Sequence, residues 1–446
     1  MGWQMFSLII FTSLCFGFVM SNLPPLTIEA ISPRGIKIKM PDDGFSLFTM
    51  TASLRRGLHT TQWKITIPSA KNGYWTSVDR NIDLRLGDVV YCNIIAYKQN
   101  IQFQENKIWT VRELVPDSEY INCVISETRT PCSNQICKNT LIYSDEFNND
   151  KLMWKKEVMF PQGPDYPFNA YETKAIRVEN GTLIIKPEIS IYARRENAEY
   201  SQWDLGSSCT GELGTRECIQ TSSGAQILPP ITSGKISTKG LFSFKFGRID
   251  VRAKLPVGDW LIPEINLEPL NHEYGKDHYA SGLLRIAYVK GNQEFSKELY
   301  GGPIVFDSEP LRSIFLTKHY SSVHWNNDFH VYSLIWKPDG FQLLVDDLPY
   351  GTFIKSTDLD EYLISELPPQ SESWARGTPI APLDQLFYIS LGVRVGGIND
   401  FTDSPLKPWK NSNSKAMYKF WQSTLSWRPT WTSPELVVDY VRVYSL

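Results

Sequence analysis

Apolar and polar residues alternate strictly along Phe242-Ser243-Phe244-Lys245-Phe246 and along Ile249-Asp250-Val251-Arg252-Ala253-Lys254-Leu255. Successive side chains of a strand point to opposite faces, so a period of two predicts strands with one buried and one wetted face. The same pattern recurs at Ile36-Lys37-Ile38-Lys39-Met40 and Trp63-Lys64-Ile65-Thr66-Ile67, and Val441-Arg442-Val443-Tyr444 reads as a closing strand. No sustained helical period competes with these strands. Turn-forming clusters at Pro33-Arg34-Gly35, Asp42-Asp43-Gly44, Asn72-Gly73 and Leu86-Gly87-Asp88 punctuate the first part of the chain, a spacing that suits antiparallel sandwiches. The predicted fold class is all-β.

The strand pattern breaks between about Ser126 and Thr140, where Ser-Glu-Thr-Arg-Thr-Pro and two close cysteines intervene. A chain of 446 residues exceeds one ordinary core. The expected organisation is therefore a first domain at 22–125, a linker at 126–140 and a larger second domain at 141–446. Ahead of these, the run from Met5 to Val19 carries no charge and is too short to span a bilayer, which takes about 20 residues. Residues 1–21 read as a signal peptide cleaved near Ser21, which predicts a secreted, extracellular protein.

Cysteine usage agrees with export. Cys15 leaves with the leader, and Cys92, Cys123, Cys132, Cys137, Cys209 and Cys218 form an even set of disulfide candidates. Short separations make Cys132–Cys137 and Cys209–Cys218 the economical pairs, leaving Cys92 with Cys123, although other pairings stay open. No Cys-x-x-Cys pair occurs and the histidines are scattered, so neither a metal site nor a cofactor is expected. Asn180-Gly181-Thr182 is a glycosylation sequon.

The chain carries 45 basic and 48 acidic residues, a net charge of -3. That balance gives no electrostatic footprint for nucleic acid or an anionic membrane. With 14 Trp and 21 Tyr, it is supplied with rings that pair an apolar face with a polar edge, as sugar recognition requires, though large sandwich cores use aromatics too.

In the first domain, Glu29-Ala30-Ile31-Ser32-Pro33-Arg34-Gly35, Asp42-Asp43-Gly44-Phe45-Ser46-Leu47-Phe48, Gly73-Tyr74-Trp75, Asp79-Arg80-Asn81 and Leu86-Gly87-Asp88 resemble the N-terminal glucan-binding module of the insect β-1,3-glucan recognition proteins, also called Gram-negative bacteria-binding proteins. In the second, Gly258-Asp259-Trp260, Phe329-His330-Val331-Tyr332, Asp384-Gln385, Phe387-Tyr388, Lys407-Pro408-Trp409 and Val438-Asp439-Tyr440-Val441-Arg442-Val443-Tyr444 resemble the laminarinase branch of family-16 glycoside hydrolases. The resemblance implies an immunoglobulin-like β-sandwich followed by a concanavalin-like jelly-roll β-sandwich with a sugar cleft. It also implies an innate-immunity receptor for microbial β-1,3-glucan, or for other surface polysaccharides such as lipopolysaccharide. An extracellular serine protease zymogen is the implied downstream partner.

A retaining glycosidase sets a nucleophilic and an acid/base carboxylate about 5 to 5.5 Å apart. Active members of the resembled family supply them from Ser-Gly-Glu-Ile-Asp-Ile-x-Glu, with a bulge absorbing the odd residue. Here the stretch reads Ser281-Gly282-Leu283-Leu284-Arg285-Ile286-Ala287-Tyr288, so Leu283, Arg285 and Tyr288 stand at the degenerate catalytic positions. Arg285 stays protonated and Leu283 has no lone pair, which predicts a binding protein and not a hydrolase. Glu264 is the acid that an alternative glucanase would use; its bland reading is a solvated or Arg-paired carboxylate, with Arg285 as the candidate partner. Ile262 and Asn266 stand where such hydrolases carry indoles.

For the first domain the resemblance implies carbohydrate binding through Trp63, Trp75, Asp79 and Arg80. The stretch from Thr49 to Arg56 replaces a polar family loop, and Ile65-Thr66 replaces Arg-Asp. A member that binds proteins and has lost sugar binding is the remaining alternative.

Overall fold

The computed structural model describes residues 23–32, 34–56, 59–99, 101–117, 124–131, 136–148, 152–191, 201–355 and 369–446. The leader expected at 1–21, Pro33, Cys123 and Cys132 lie outside them. The chain forms two compact units, Met1–Cys123 and Val124–Leu446.

The first unit is a sandwich of two four-stranded sheets. One runs Tyr74–Asp79, Ile36–Pro41, Thr27–Ser32 and Leu114–Pro116, the last pair parallel. The other runs His59–Ile67, Leu47–Arg56, Val89–Lys98 and Ile101–Thr110, all antiparallel. The period-two pattern decides which side faces in. Ile36, Ile38 and Met40 meet Phe48, Met50, Ala52, Leu54, Val90 and Ile94 in one apolar core. At Asn72-Gly73 both residues have positive φ (50° and 75°) and close the Lys71–Tyr74 pair, the two-residue geometry that Asn-Gly favours.

The second unit is a jelly-roll sandwich of two large antiparallel sheets. Its concave sheet runs Lys155–Lys156, Lys235–Ser237, Phe387–Val395, Leu261–Pro269, Leu283–Tyr288, Glu298–Ile304 and Thr317–Tyr320. The facing sheet includes Thr182–Ile185, Leu436–Tyr444, Gly247–Lys254, Phe329–Lys337 and Gly340–Val345. Ile249, Val251 and Trp336 on one sheet and Ile265, Ile389, Leu391 and Val393 on the other share a single core. Burying one such side chain contributes roughly 1.5 to 3 kcal/mol, so core positions are fixed by hydrophobicity alone.

Three expectations are corrected. The segment 126–140 is not a linker: Thr128 and Ser126 are buried, Arg129 pairs with Lys245, and Leu446 N–H donates to Thr128 Oγ1, so its described residues belong to the second unit. Phe242–Phe246 buries Ser243 as well as Phe244 and Phe246, so its burial does not alternate, and it makes an isolated bridge, Phe244 with Phe387, because Phe246 turns to φ 62° just before Gly247–Lys254 begins. Cys92 is a free thiol. It points inward from Val89–Lys98 between Val90 and Ile94, where burial pushes it up to about 11, so it serves as a small hydrophobe. Cys209–Cys218 is formed, and Cys137 is disulfide-bonded.

Candidate functional site

The side chains that face out from the concave sheet form the floor of a cleft. Register places Ile262 beside Arg394, Glu264 beside Gly392, Asn266 beside Ser390 and Glu268 beside Tyr388, so alternate residues of two strands share this face. A Cβ on Gly392 would lie 2.7 Å from Glu264 Oε2, so glycine there leaves room for the carboxylate. Asn266 pairs with Arg285 on the next strand, and register shifts on both sides of Leu283–Tyr288 bring Tyr288 beside Arg285. The Arg285 guanidinium lies 4.1 Å from the Tyr288 ring centroid, a cation–π contact.

Loops complete the floor. Arg285 donates to Asp400 at 2.8 Å, and Arg312 and Arg394 also reach Asp400, at 3.1 and 3.0 Å. Arg312 and Arg394 both pair with Asp165, whose carboxylate also accepts from Tyr279. Farther along, Lys235 bridges Glu268 at 2.8 Å and Glu264 at 3.8 Å, and Tyr171 donates to Glu264 at 2.6 Å. Lys407 and Trp409 hold the loop presenting Asp400, through bonds to Phe401 O and Gly397 O.

Removing ions from water costs several kcal/mol each, so this cluster persists only if its charges balance. They do balance: Arg285, Arg312, Arg394 and Lys235 oppose Asp165, Asp400, Glu264 and Glu268. Burial works against ionisation of Asp165 and Asp400, yet the surrounding guanidinia outweigh it and hold both carboxyls below the usual range. Burial likewise opposes Glu268, but Lys235, Ser390 and Tyr388 lower it to about 2. Glu157, a fifth acid at the rim, is raised by burial and by Glu268 and Glu264 despite Lys235, consistent with a cluster already neutral without it.

The chemical consequences follow. Tyr288 is raised by burial and by Asp400, so its hydroxyl stays protonated and donates to Asp400 O. Leu283 is buried and inert. Glu264 is cation-paired as expected, but with Arg394 and Lys235; Arg285 instead engages Asp400. The space left open is about 260 Å³, lined by Tyr171, Lys235, Glu264, Glu268 and Leu283 among others. Sequence reasoning missed Asp165, Lys235, Glu268, Arg312, Arg394 and Asp400. For Glu268 and Arg394 a signal existed: charges inside otherwise largely apolar strands.

In the first unit the four expected sugar ligands are not assembled into one site. Trp75 is 2% exposed with its Nε1 donating to Asp42, so it offers no face for stacking. Trp63 lies half-buried on the other sheet, packed against the same core. Asp79 accepts from the Asn81 N–H and shapes the turn, while Arg80 ties to Asp117 at 2.8 Å. The exposed aromatic beside Trp75 is Tyr74, with Lys39 3.8 Å from its ring centroid. Alternation along the strand decides which neighbour is which. Asn180 sits exposed at a hairpin tip, φ 51°, with Gly181 at φ 73°.

A carbohydrate binding domain (family 32) profile matches residues 22–132. The chain is 42% identical to Beta-1,3-glucan-binding protein 2 of Manduca sexta, over 95% of each chain. It is 42% identical to Beta-1,3-glucan-binding protein 1 of Galleria mellonella, over 97% of this chain and 98% of that one. Among solved structures, the laminarinase from Rhodothermus marinus covers 69% of this chain and 97% of its own, at 22% identity and a TM-score of 0.45.

Proposed function

This chain belongs to the β-1,3-glucan-binding protein family, and from that premise we propose that it is a secreted recognition protein that binds microbial β-1,3-glucan without hydrolysing it. The observation that carries the reading is full-length similarity to proteins named for glucan binding, joined to a carbohydrate-binding match over residues 22–132 that spans the first unit. Extracellular placement is supported by the Cys209–Cys218 disulfide, and among the described residues no helix is long and apolar enough to cross a membrane. Coupling to an extracellular protease zymogen is the downstream step proposed with it.

Absence of hydrolysis is supported by the cleft's chemistry. Double displacement needs one carboxylate free to attack and another free to donate a proton. Glu264 and Glu268 are both drawn onto Lys235, so neither carboxylate is free for that role. Displacing that ammonium would leave buried charges unpaired.

In the first unit, sugar contact is assigned to the exposed face that carries Tyr74, with Asp79 at the far end of the same strand and Arg80 just beyond it. The test is co-sedimentation of the full chain with curdlan while reducing ends are assayed in the same tubes. Sedimentation without new reducing ends is expected, and Tyr74→Ala should weaken it roughly tenfold, the loss of one stacking contact. Trp75→Ala is a poor probe, since emptying that core position costs about 3 to 5 kcal/mol and unfolds the reporter. Release of reducing ends abolished by Glu264→Gln would overturn the non-catalytic reading, and no sedimentation would overturn glucan recognition by the first unit.

A further inference from the structure

We propose that the second unit holds a separate groove without lining carboxylates that seats a short stretch of neutral glycan beside the ion-filled cleft. The groove encloses about 700 Å³, within the usual size of ligand sites. Its walls are the 160–169 loop, the 216–227 segment and the 411–418 approach to the helix Ala416–Gln422. The loop at Pro161, Gln162 and Pro167 is the partition it shares with the cleft.

The two sides of that partition differ in chemistry. The cleft is lined by Glu157, Glu264, Glu268 and Lys235, whereas no Asp or Glu lines the groove among the described residues, and Arg216 is its one cation. Tyr166, 51% exposed, and the half-buried Tyr418 bring phenol rings, and Gln162 and Gln220 bring amides. Rings for sugar faces and neutral amides for hydroxyls suit an uncharged, hydroxyl-rich ligand.

A buried donor points to the same ligand. Asn169 is 1% exposed and lines the groove; its Oδ1 accepts the Val395 N–H at 3.0 Å, while its Nδ2 has no hydrogen-bond partner among the described residues. An unfilled buried donor is costly, and turning the Asn169 amide toward the groove would let a saccharide hydroxyl fill it. The walls are also tied in advance. The Cys209–Cys218 disulfide staples the loop leading to Arg216, and Gln220 and Gln162 both donate to Arg216 O, at 2.8 and 3.2 Å. A site held in shape before binding loses little entropy when it is filled.

The groove goes beyond the first-unit reading and does not depend on it. Hydrogen exchange of the full chain with and without laminarihexaose is the test, followed by titration of Tyr166→Ala and Tyr418→Ala. Added protection in 160–169 and 216–227 is expected, with each variant binding the hexasaccharide roughly tenfold more weakly while curdlan co-sedimentation through the first unit persists. Protection confined to residues 23–117, or hexasaccharide affinity unchanged in both variants, overturns the groove and leaves first-unit binding standing. Protection of the groove peptides with no curdlan co-sedimentation would instead sink the first-unit reading and keep the groove.

Discussion

At the residue scale, the floor of the cleft turns on Arg285, a buried cation that cannot give up its proton and that pairs with Asp400 at 2.8 Å. Asp400 is the more critical member because three guanidinia converge on it. Asp400→Asn should therefore cost about 3 to 5 kcal/mol, the usual effect of breaking a buried ion network from its centre. Arg285→Leu should cost distinctly less, since Arg312 and Arg394 still neutralise Asp400. Urea unfolding of the two variants against the parent checks the ranking; equal costs would show that the three arginines do not share that charge. Arg285 and Tyr288 themselves were legible in the Ser281–Tyr288 stretch. The partner of Arg285 was not, because Asp400 lies 115 residues away on a loop.

At the element scale, the strands Leu261–Pro269 and Phe387–Val395 carry charged or polar residues at 264, 266, 268, 388, 390 and 394 on one face and core residues on the other. Such a face makes stability depend on pH. Asp165, Glu268 and Asp400 have folded values below their ordinary ones, so they contribute stability that is complete above about pH 4.5 and lost as pH falls toward 2. Glu157 has the opposite sign: its folded value is raised, so its protonation returns some stability as pH falls. The second unit should be near maximal stability at mildly acidic to neutral pH and weaken steeply below about pH 4. Thermal melts from pH 7 to 2.5 check this, and a flat profile across that range would contradict a charge-held floor. The alternation that defines these strands was visible in Ile249–Leu255 and Trp63–Ile67. Around 242–246 the same alternation produced burial without a ladder, because a positive φ at Phe246 breaks the pairing.

At the scale of the whole molecule, units of such different size, each with its own core, should melt separately. Calorimetry of the full chain is expected to resolve two transitions, with Asp400→Asn lowering only the one assigned to the second unit; a single cooperative transition would show that the units unfold together. The sequence by itself determined the all-β class, the two-sandwich organisation and the family, since each is written in periodicity or in contiguous motifs. Only the tertiary structure decided that Trp75 is core and Tyr74 is surface, that Cys92 is free, that 126–131 and 136–140 are bound into the second unit, and that loops from distant parts of the chain fill the cleft with ions. The physical reason is the range of the forces: patterning and turn chemistry act over a few residues, whereas burial and charge pairing are settled by whatever the folded chain brings within a few ångströms.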